Sequence, residues 1–370
     1  MLRYPTALLF MVVICLPLLN QLTGIWHFER KSENRNFRDS VNFDIAFLDP
    51  FPADFESYFN DNFSFRRPLL DLHHHLSFYY FLVSPHPDQT LVGSSGWYFL
   101  AKKEKNIYEG ILRFTPGHLQ QFEAEWRYRK HYLDSMRIPF MWLIAPMKHH
   151  VYAEFMPFQS IPIKEDRVTQ LERHFNKKLP GVMTSLRPLL NEAKKDHKVF
   201  YKLDNHWNFH AGELVSRYIV QQLRENLPGV QIPEIPPVSW RDTLLKTGIH
   251  QNVLGIDDLS ETDQIPVIAK PRSVAVVKHD FPPIKHFQYP GDYEMRFMNV
   301  HDSSGLRVLV IRDSFGEKLL PFLKEPFHET VFIFDGWQYG LNKKIIEHLK
   351  PDAVIFLSSE VHIEHIIGLE

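Results

Sequence analysis

Cysteine is nearly absent: Cys15 is the only one among 370 residues. It lies inside an apolar run, so neither a disulfide framework nor a cysteine-rich metal centre can be assembled. A surplus of either charge is also missing. With 42 Lys and Arg against 44 Asp and Glu the net charge is -2, and the chain offers no basic surface of the kind that neutralises phosphates, which argues against nucleic acid as a partner. The chain holds no internal repeat, no low-complexity tract and a single long hydrophobic stretch, at its amino terminus. At 44% hydrophobic and 23% charged the composition is that of a folded chain and not a disordered one.

Aromatic residues are plentiful, with 30 Phe, 14 Tyr and 7 Trp. Burial preference assigns most of them to a core, and any surplus suits a groove in which sugar rings stack. The amino-terminal stretch runs from Ala7 to Leu19, after Arg3 and before Asn20, Gln21, Leu22, Ile25 and Trp26. Its ~13 strongly apolar residues match a secretory h-region, whereas a span needs about 20, reached by counting Tyr4 to Trp26. No small-residue cleavage site follows Leu19, and Trp26 suits a membrane interface. Residues 1–27 are therefore expected to form a membrane anchor or uncleaved signal.

Residues 28–90 read as a polar linker and a helical segment, with Phe55, Tyr58 and Phe59, then Leu69, Leu72 and Leu76 at helical spacing after Pro68. His73, His74 and His75 lie in that segment, but adjacent helical residues point about 100° apart and cannot converge on one ion. No metal site and no cofactor are expected. Residues 91–370 form the expected main domain. Strands are predicted at 97–100, 139–145 and 198–203, with helices over Thr115–Ser135, Glu165–Lys178 and Phe209–Glu225. Irregular sequence fills much of 227–271, and short strands follow at 273–277 and 293–298. Then comes an alternation of strand (306–311), helix (317–323), strand (330–334), helix (342–349) and strand (353–357). Continuous apolar strands separated by helices imply a mainly parallel sheet covered on both faces, an α/β domain of three layers.

Reactive groups in such a sheet collect at the carboxyl ends of the strands. Ser314 sits there, in Arg312-Asp313-Ser314-Phe315-Gly316 after the strand LRVLVI. A serine hydroxyl needs a base and oxyanion donors, and backbone N–H groups of Ser314 and the following helix start could supply the latter. Asp-Ser before a helix is equally a common N-cap. A second group, Asp204-Asn205-His206-Trp207, follows the predicted strand KVFYKL. An aspartate two residues before a histidine can hold Nδ1 and leave Nε2 as general base. It can also cap the helix that begins near Asn208.

Asp204, His206 and Trp207, the segment from Arg312 to Gly316 and the run Leu319 to Leu323 together resemble the alginate O-acetyltransferase family. So do Gly93 to Phe99, like that family's Gly-x-x-Gly-Trp-Tyr-Phe, and Pro146, Lys148 and Tyr152, like its Pro-x-Lys-x-x-x-Tyr. The resemblance implies an SGNH-hydrolase-like domain whose motif order is permuted relative to ordinary SGNH hydrolases. It implies Ser314 as nucleophile, His206 as base and Asp204 as orienting acid in acetyl transfer to an extracytoplasmic polysaccharide. The acetyl donor would come from a multi-span membrane acyltransferase partner. Lys148, His149, Tyr152, Trp207, Arg312 and Trp337 are candidate substrate-binding residues, each also explained by burial alone. Arg30, Lys31, Arg35 and Arg38 on the far flank of the apolar stretch oppose export by the positive-inside rule. The resemblance and the bulk of the chain beyond the stretch favour it, with the inner membrane as anchor and the bacterial periplasm as location. An acetyl esterase using the same triad, and a non-catalytic polysaccharide-binding scaffold, are the alternative readings.

Overall fold

The structure is a computed structural model that describes residues 4–28, 37–41, 49–246, 248–276, 279–283, 285, 287–299, 301, 305–336 and 338–369. These divide into two compact units. One comprises the described residues up to Pro85 with Leu254–Ile256, and the other spans His86–Val253 and Asp257 onwards.

The amino-terminal unit is helical. Its first helix, Pro5–Thr23, has 19 residues and contains an 18-residue window of mean hydropathy 1.9. Length and composition suit a membrane span, and equally a signal sequence. Helices follow at Phe51–Asn62 and Arg66–His75, the latter with Pro68 in its first turn.

Among the described residues the larger unit has eleven strands: β1 (Thr90–Val92), β2 (Tyr98–Leu100), β3 (Phe140–Ala145), β4 (Met183–Ser185), β5 (Val238–Leu245), β6 (Glu261–Ile268), β7 (Ser273–Val276), β8 (Glu294–Asn299), β9 (Arg307–Arg312), β10 (Glu329–Phe334) and β11 (Ala353–Ser359). Seven make one sheet, in the order β4-β3-β11-β9-β10-β8-β7. β4, β3, β11, β9 and β10 run parallel, while β8 and β7 are antiparallel to their neighbours. The two hairpins β1-β2 and β5-β6 stand apart as two-stranded sheets.

Burial on both faces explains the unbroken apolar runs. Leu143, Val308, Val310, Phe332, Ile355 and Leu357 point into one core with Leu190 and with Val215, Ile219 and Leu223 of the helix Phe209–Asn226. The alternate residues Trp142, Ile144, Leu309, Ile311, Val331 and Phe356 point into a second core. There they meet the helices Pro116–Ser135, Arg167–Lys178 and Lys343–Leu349 through Trp126, Leu171 and Ile346. Many of the aromatic residues lie in these cores, where Trp126 and Trp142 stack at 4.3 Å between ring centroids. Thr115 caps its helix, accepting the N–H of His118 at 3.2 Å.

Three expectations fail. The segment 198–203 is no strand but one arm of a loop closed by a single bridge between Phe200 and Trp207. Its apolar side chains are buried as a strand's would be, yet the amides of Lys202 and Leu203 are taken by a carboxylate, as described below. The stretch 227–271 is not irregular, because it carries the hairpin β5-β6, eight residues paired with eight. Prolines and aspartates mask an alternation of half-buried and exposed residues in Val238, Ser239, Trp240 and Arg241. Lastly, the helix expected over 317–323 is a 3-10 turn, Ser314–Leu319, running into one α-turn, Leu320–Leu323. Strand β7 ends at Val276, and Val277 lies outside the described residues.

Candidate active site

Strands β3, β9 and β11 end side by side. The chain leaving β9 turns sharply at Asp313 and presents Ser314 at the start of the 3-10 turn. Asp313 makes that turn rigid. One of its carboxylate oxygens accepts the N–H of Phe315 at 2.9 Å, which is an N-cap. The other accepts the Tyr339 hydroxyl at 2.6 Å and the N–H of Ser359, at the end of β11, at 2.7 Å. Gly316 is required here, since a Cβ would fall 2.4 Å from the side chain of Arg312.

His206 arrives from the loop 198–208. Its backbone N–H and its Nδ1 both meet Asp204 Oδ1, at 2.9 and 2.6 Å. With the proton on Nδ1, Nε2 is left as an acceptor, and it stands 2.8 Å from Ser314 Oγ. The three side chains thus form one hydrogen-bonded line across 108 residues of sequence between base and serine. Burial alone would raise the Asp204 pKa. Hydrogen bonds and charge from His206, with the Lys148 ammonium behind, reverse this and hold the carboxyl well below its usual range.

A buried framework carries the loop. The Lys148 ammonium donates to the carbonyls of Tyr201, Lys202 and Asp204 at 3.1, 3.2 and 2.7 Å. From the other side the Glu261 carboxylate accepts the amides of Lys202 and Leu203 at 2.9 and 3.0 Å. A cation on the carbonyls and an anion on the amides thereby satisfy the backbone that a sheet ladder would have satisfied. Trp207 Nε1 donates to the carbonyl of Phe315 at 2.7 Å, and the Phe315 ring packs against His206 with centroids 5.0 Å apart. His206 and Ser314 are therefore tied together twice, once through each other and once through their neighbours.

The other residues singled out in the sequence lie beneath the surface. Lys148 and His149 are each 1% exposed. Burial pulls the Lys148 pKa down to about 7, and that of His149 down to about 3, with its Nε2 bound to the carbonyl of Leu100. Tyr152 is pushed up to about 12 by burial, its oxygen accepting the N–H of Val199. Arg312 is buried against the Phe334 ring and donates to the carbonyl of Asp313. Lys148, His149, Trp207 and Arg312 build the floor of the site and are no surface that a substrate touches. This corrects the substrate-binding expectation for them, because all four side chains are buried. Tyr152 borders an open hollow with Trp97 and Phe155. Trp337 lies outside the described residues.

His150, Asp166 and Glu360 bring ligand atoms within 4.8 Å of one another. Arg187 already stands among them, 2.6 Å from Asp166 and 3.0 Å from Glu360, so a guanidinium supplies the positive charge there. Residues missed by sequence reasoning are Tyr339, Ser359 and Glu261. Ser359 ends an evident strand, whereas nothing in the sequence marks Tyr339 or Glu261.

Asp204 and His206, the latter 2.8 Å from Ser314 Oγ, line a cleft of about 370 Å³, within the usual range of small-molecule sites. The hairpin β5-β6 forms one wall through Thr243, Leu245, Gln264 and Ile265, and Phe209 and Lys318 form the other.

The chain matches the family model described as the SGNH hydrolase-like domain of the acetyltransferase AlgX over residues 90–281, just over half of its 370 residues. That segment holds Asp204 and His206 and ends before Ser314. A search of curated proteins returns no match. Among solved structures, Bacillus cereus PatB1 with a sulfonyl adduct superposes with a TM-score of 0.53 at 16% identity, over 76% of this chain and 98% of the other. PatB1 without the adduct gives 0.51 at 15%, with the same coverages. The O-acetyltransferase domain of Pseudomonas putida AlgJ gives 0.48 at 14%, over 76% and 93%.

Proposed function

Because this chain belongs to the family of the SGNH hydrolase-like domain of the acetyltransferase AlgX, we propose that it is a serine-dependent O-acetyltransferase acting on an extracytoplasmic polysaccharide. The observation that carries this reading is the unbroken line from Asp204 through His206 to Ser314, whose first two members line a cleft.

In the proposed reaction His206 Nε2 takes the proton of Ser314 as Oγ attacks the acetyl carbonyl of the donor. The tetrahedral intermediate collapses, the donor's leaving group departs with that proton, and acetyl-Ser314 remains. A sugar hydroxyl then attacks the ester, His206 accepts its proton and returns it to Ser314 Oγ, and the acetylated sugar leaves. Asp204 stabilises the imidazolium formed in both steps and keeps the ring in one tautomer. Backbone N–H groups of the 3-10 turn are the candidates for holding the oxyanion.

The apolar helix Pro5–Thr23 supports anchoring to the bacterial inner membrane, with the larger unit in the periplasm. A multi-span membrane acyltransferase is the proposed source of the acetyl group. The test is to incubate the protein with an activated acetyl ester and read its intact mass. Wild type is expected to gain one acetyl group on Ser314 and pass it to an oligosaccharide, and Ser314→Ala to do neither. A Ser314→Ala protein that still acetylates the acceptor would end the proposal.

A further inference from the structure

Charge in the cleft bears on which sugars can enter it. Besides Asp204, three carboxylates line it: Glu261, Asp263 and Glu317. Glu261 and Asp263 share one cation, Lys198, at 2.9 and 2.7 Å. Lys318, the only cation among the described lining residues, is 2.9 Å from Glu317, and its ammonium rests on the ring of Phe209 at 4.9 Å. The Lys148 ammonium lies behind the wall with its donors on three carbonyls. No lining residue described thus presents an uncommitted positive charge. Burial first, then Asp263, Glu261, Glu317 and Asp204 in turn, push the Tyr201 pKa far above the ordinary value.

Resting on the acetyltransferase reading, we propose that the acceptor is a polysaccharide whose acetylated residues carry no carboxylate, a neutral or amino-sugar polymer and not a polyuronate. A uronate in this cleft would set its own carboxylate among four others that already hold Lys198 and Lys318, with no further cation among the described lining residues to meet it, and juxtaposed like charges reject a partner. A neutral sugar brings hydroxyl donors instead. Glu317, whose side chain is 60% exposed, can accept from them, as can the Gln264 carbonyl and the Thr243 hydroxyl on the hairpin wall. Leu245 and Ile265 offer the apolar surface that a sugar ring covers. An ammonium on an amino sugar would be drawn to the same carboxylates.

The experiment has two stages on the full chain. Burst release of p-nitrophenol from p-nitrophenyl acetate, stoichiometric with enzyme and absent in Ser314→Ala, first measures acyl-enzyme formation. Oligomers of glucose, glucosamine and mannuronate of equal length then compete for the acetyl group at low salt. Glucose or glucosamine oligomers are expected to exceed mannuronate oligomers at least tenfold in kcat/KM. The gap should narrow several-fold as salt screens the cleft, and again in Glu317→Lys. A burst followed by equal or faster transfer to mannuronate, or by no transfer to either of the other two, overturns this inference and leaves the catalytic reading standing. Absence of the burst overturns both.

Discussion

Asp204 carries the acid-side behaviour of the site. Its carboxyl is stabilised as the anion in the folded protein, so its folded pKa lies below the unfolded value of ~3.9. A group depressed in this way contributes stability above the unfolded pKa, and that contribution is lost as pH falls through the folded one. The denaturation midpoint of Asp204→Asn should therefore trail wild type by a constant amount above about pH 5, with the difference shrinking below about pH 4. A gap independent of pH down to strong acid would show that the carboxylate is not held by the imidazole. The same substitution leaves Nδ1 facing an amide and disturbs the tautomer, so activity should fall even where stability does not.

The 3-10 turn, Tyr339 and the end of β11 fix Ser314 through Asp313. Asp313 is buried, and three donors converge on it from the 3-10 turn, from Tyr339 and from the end of β11. Tyr339→Phe removes one donor from a buried carboxylate and should cost about 1–3 kcal/mol, read as a lowered thermal midpoint. Acylation of Ser314 should slow as the turn loosens, and unchanged values of both would refute the role given to Asp313. Elements of this kind are legible in the sequence only in part. The strands of the central sheet announce themselves because burial on both faces leaves unbroken apolar runs, as in LRVLVI and AVIFL. Ser314 and His206 stand out because each lies in a short motif after such a run. The loop carrying His206 imitates a strand in composition, since Val199, Phe200 and Leu203 are buried. What replaces its ladder comes from Lys148 and Glu261, distant in sequence, and no local pattern encodes that. The hairpin β5-β6, which walls the cleft, is hidden for a related reason. One of its faces meets solvent, so its apolar residues are sparse.

At the scale of the whole chain, the larger unit holds every residue of the proposed reaction, and the amino-terminal unit holds the apolar helix. Leu9, Phe10, Leu18 and Leu22 of that helix are largely exposed, which suits lipid around them. Removing residues 1–27 should move the protein from the membrane to the soluble fraction while the acetyl burst at Ser314 persists. Retention at the membrane after the deletion would contradict the anchoring reading. The account as a whole stands on an imidazole activating one alcohol. The direct measurement is the rate at which a fluorophosphonate modifies Ser314 in wild type and in His206→Ala. The account predicts modification confined to Ser314 and slowed about 10²–10⁴-fold by loss of the base. Equal rates in the two proteins, or no modification of Ser314 in wild type, would contradict it.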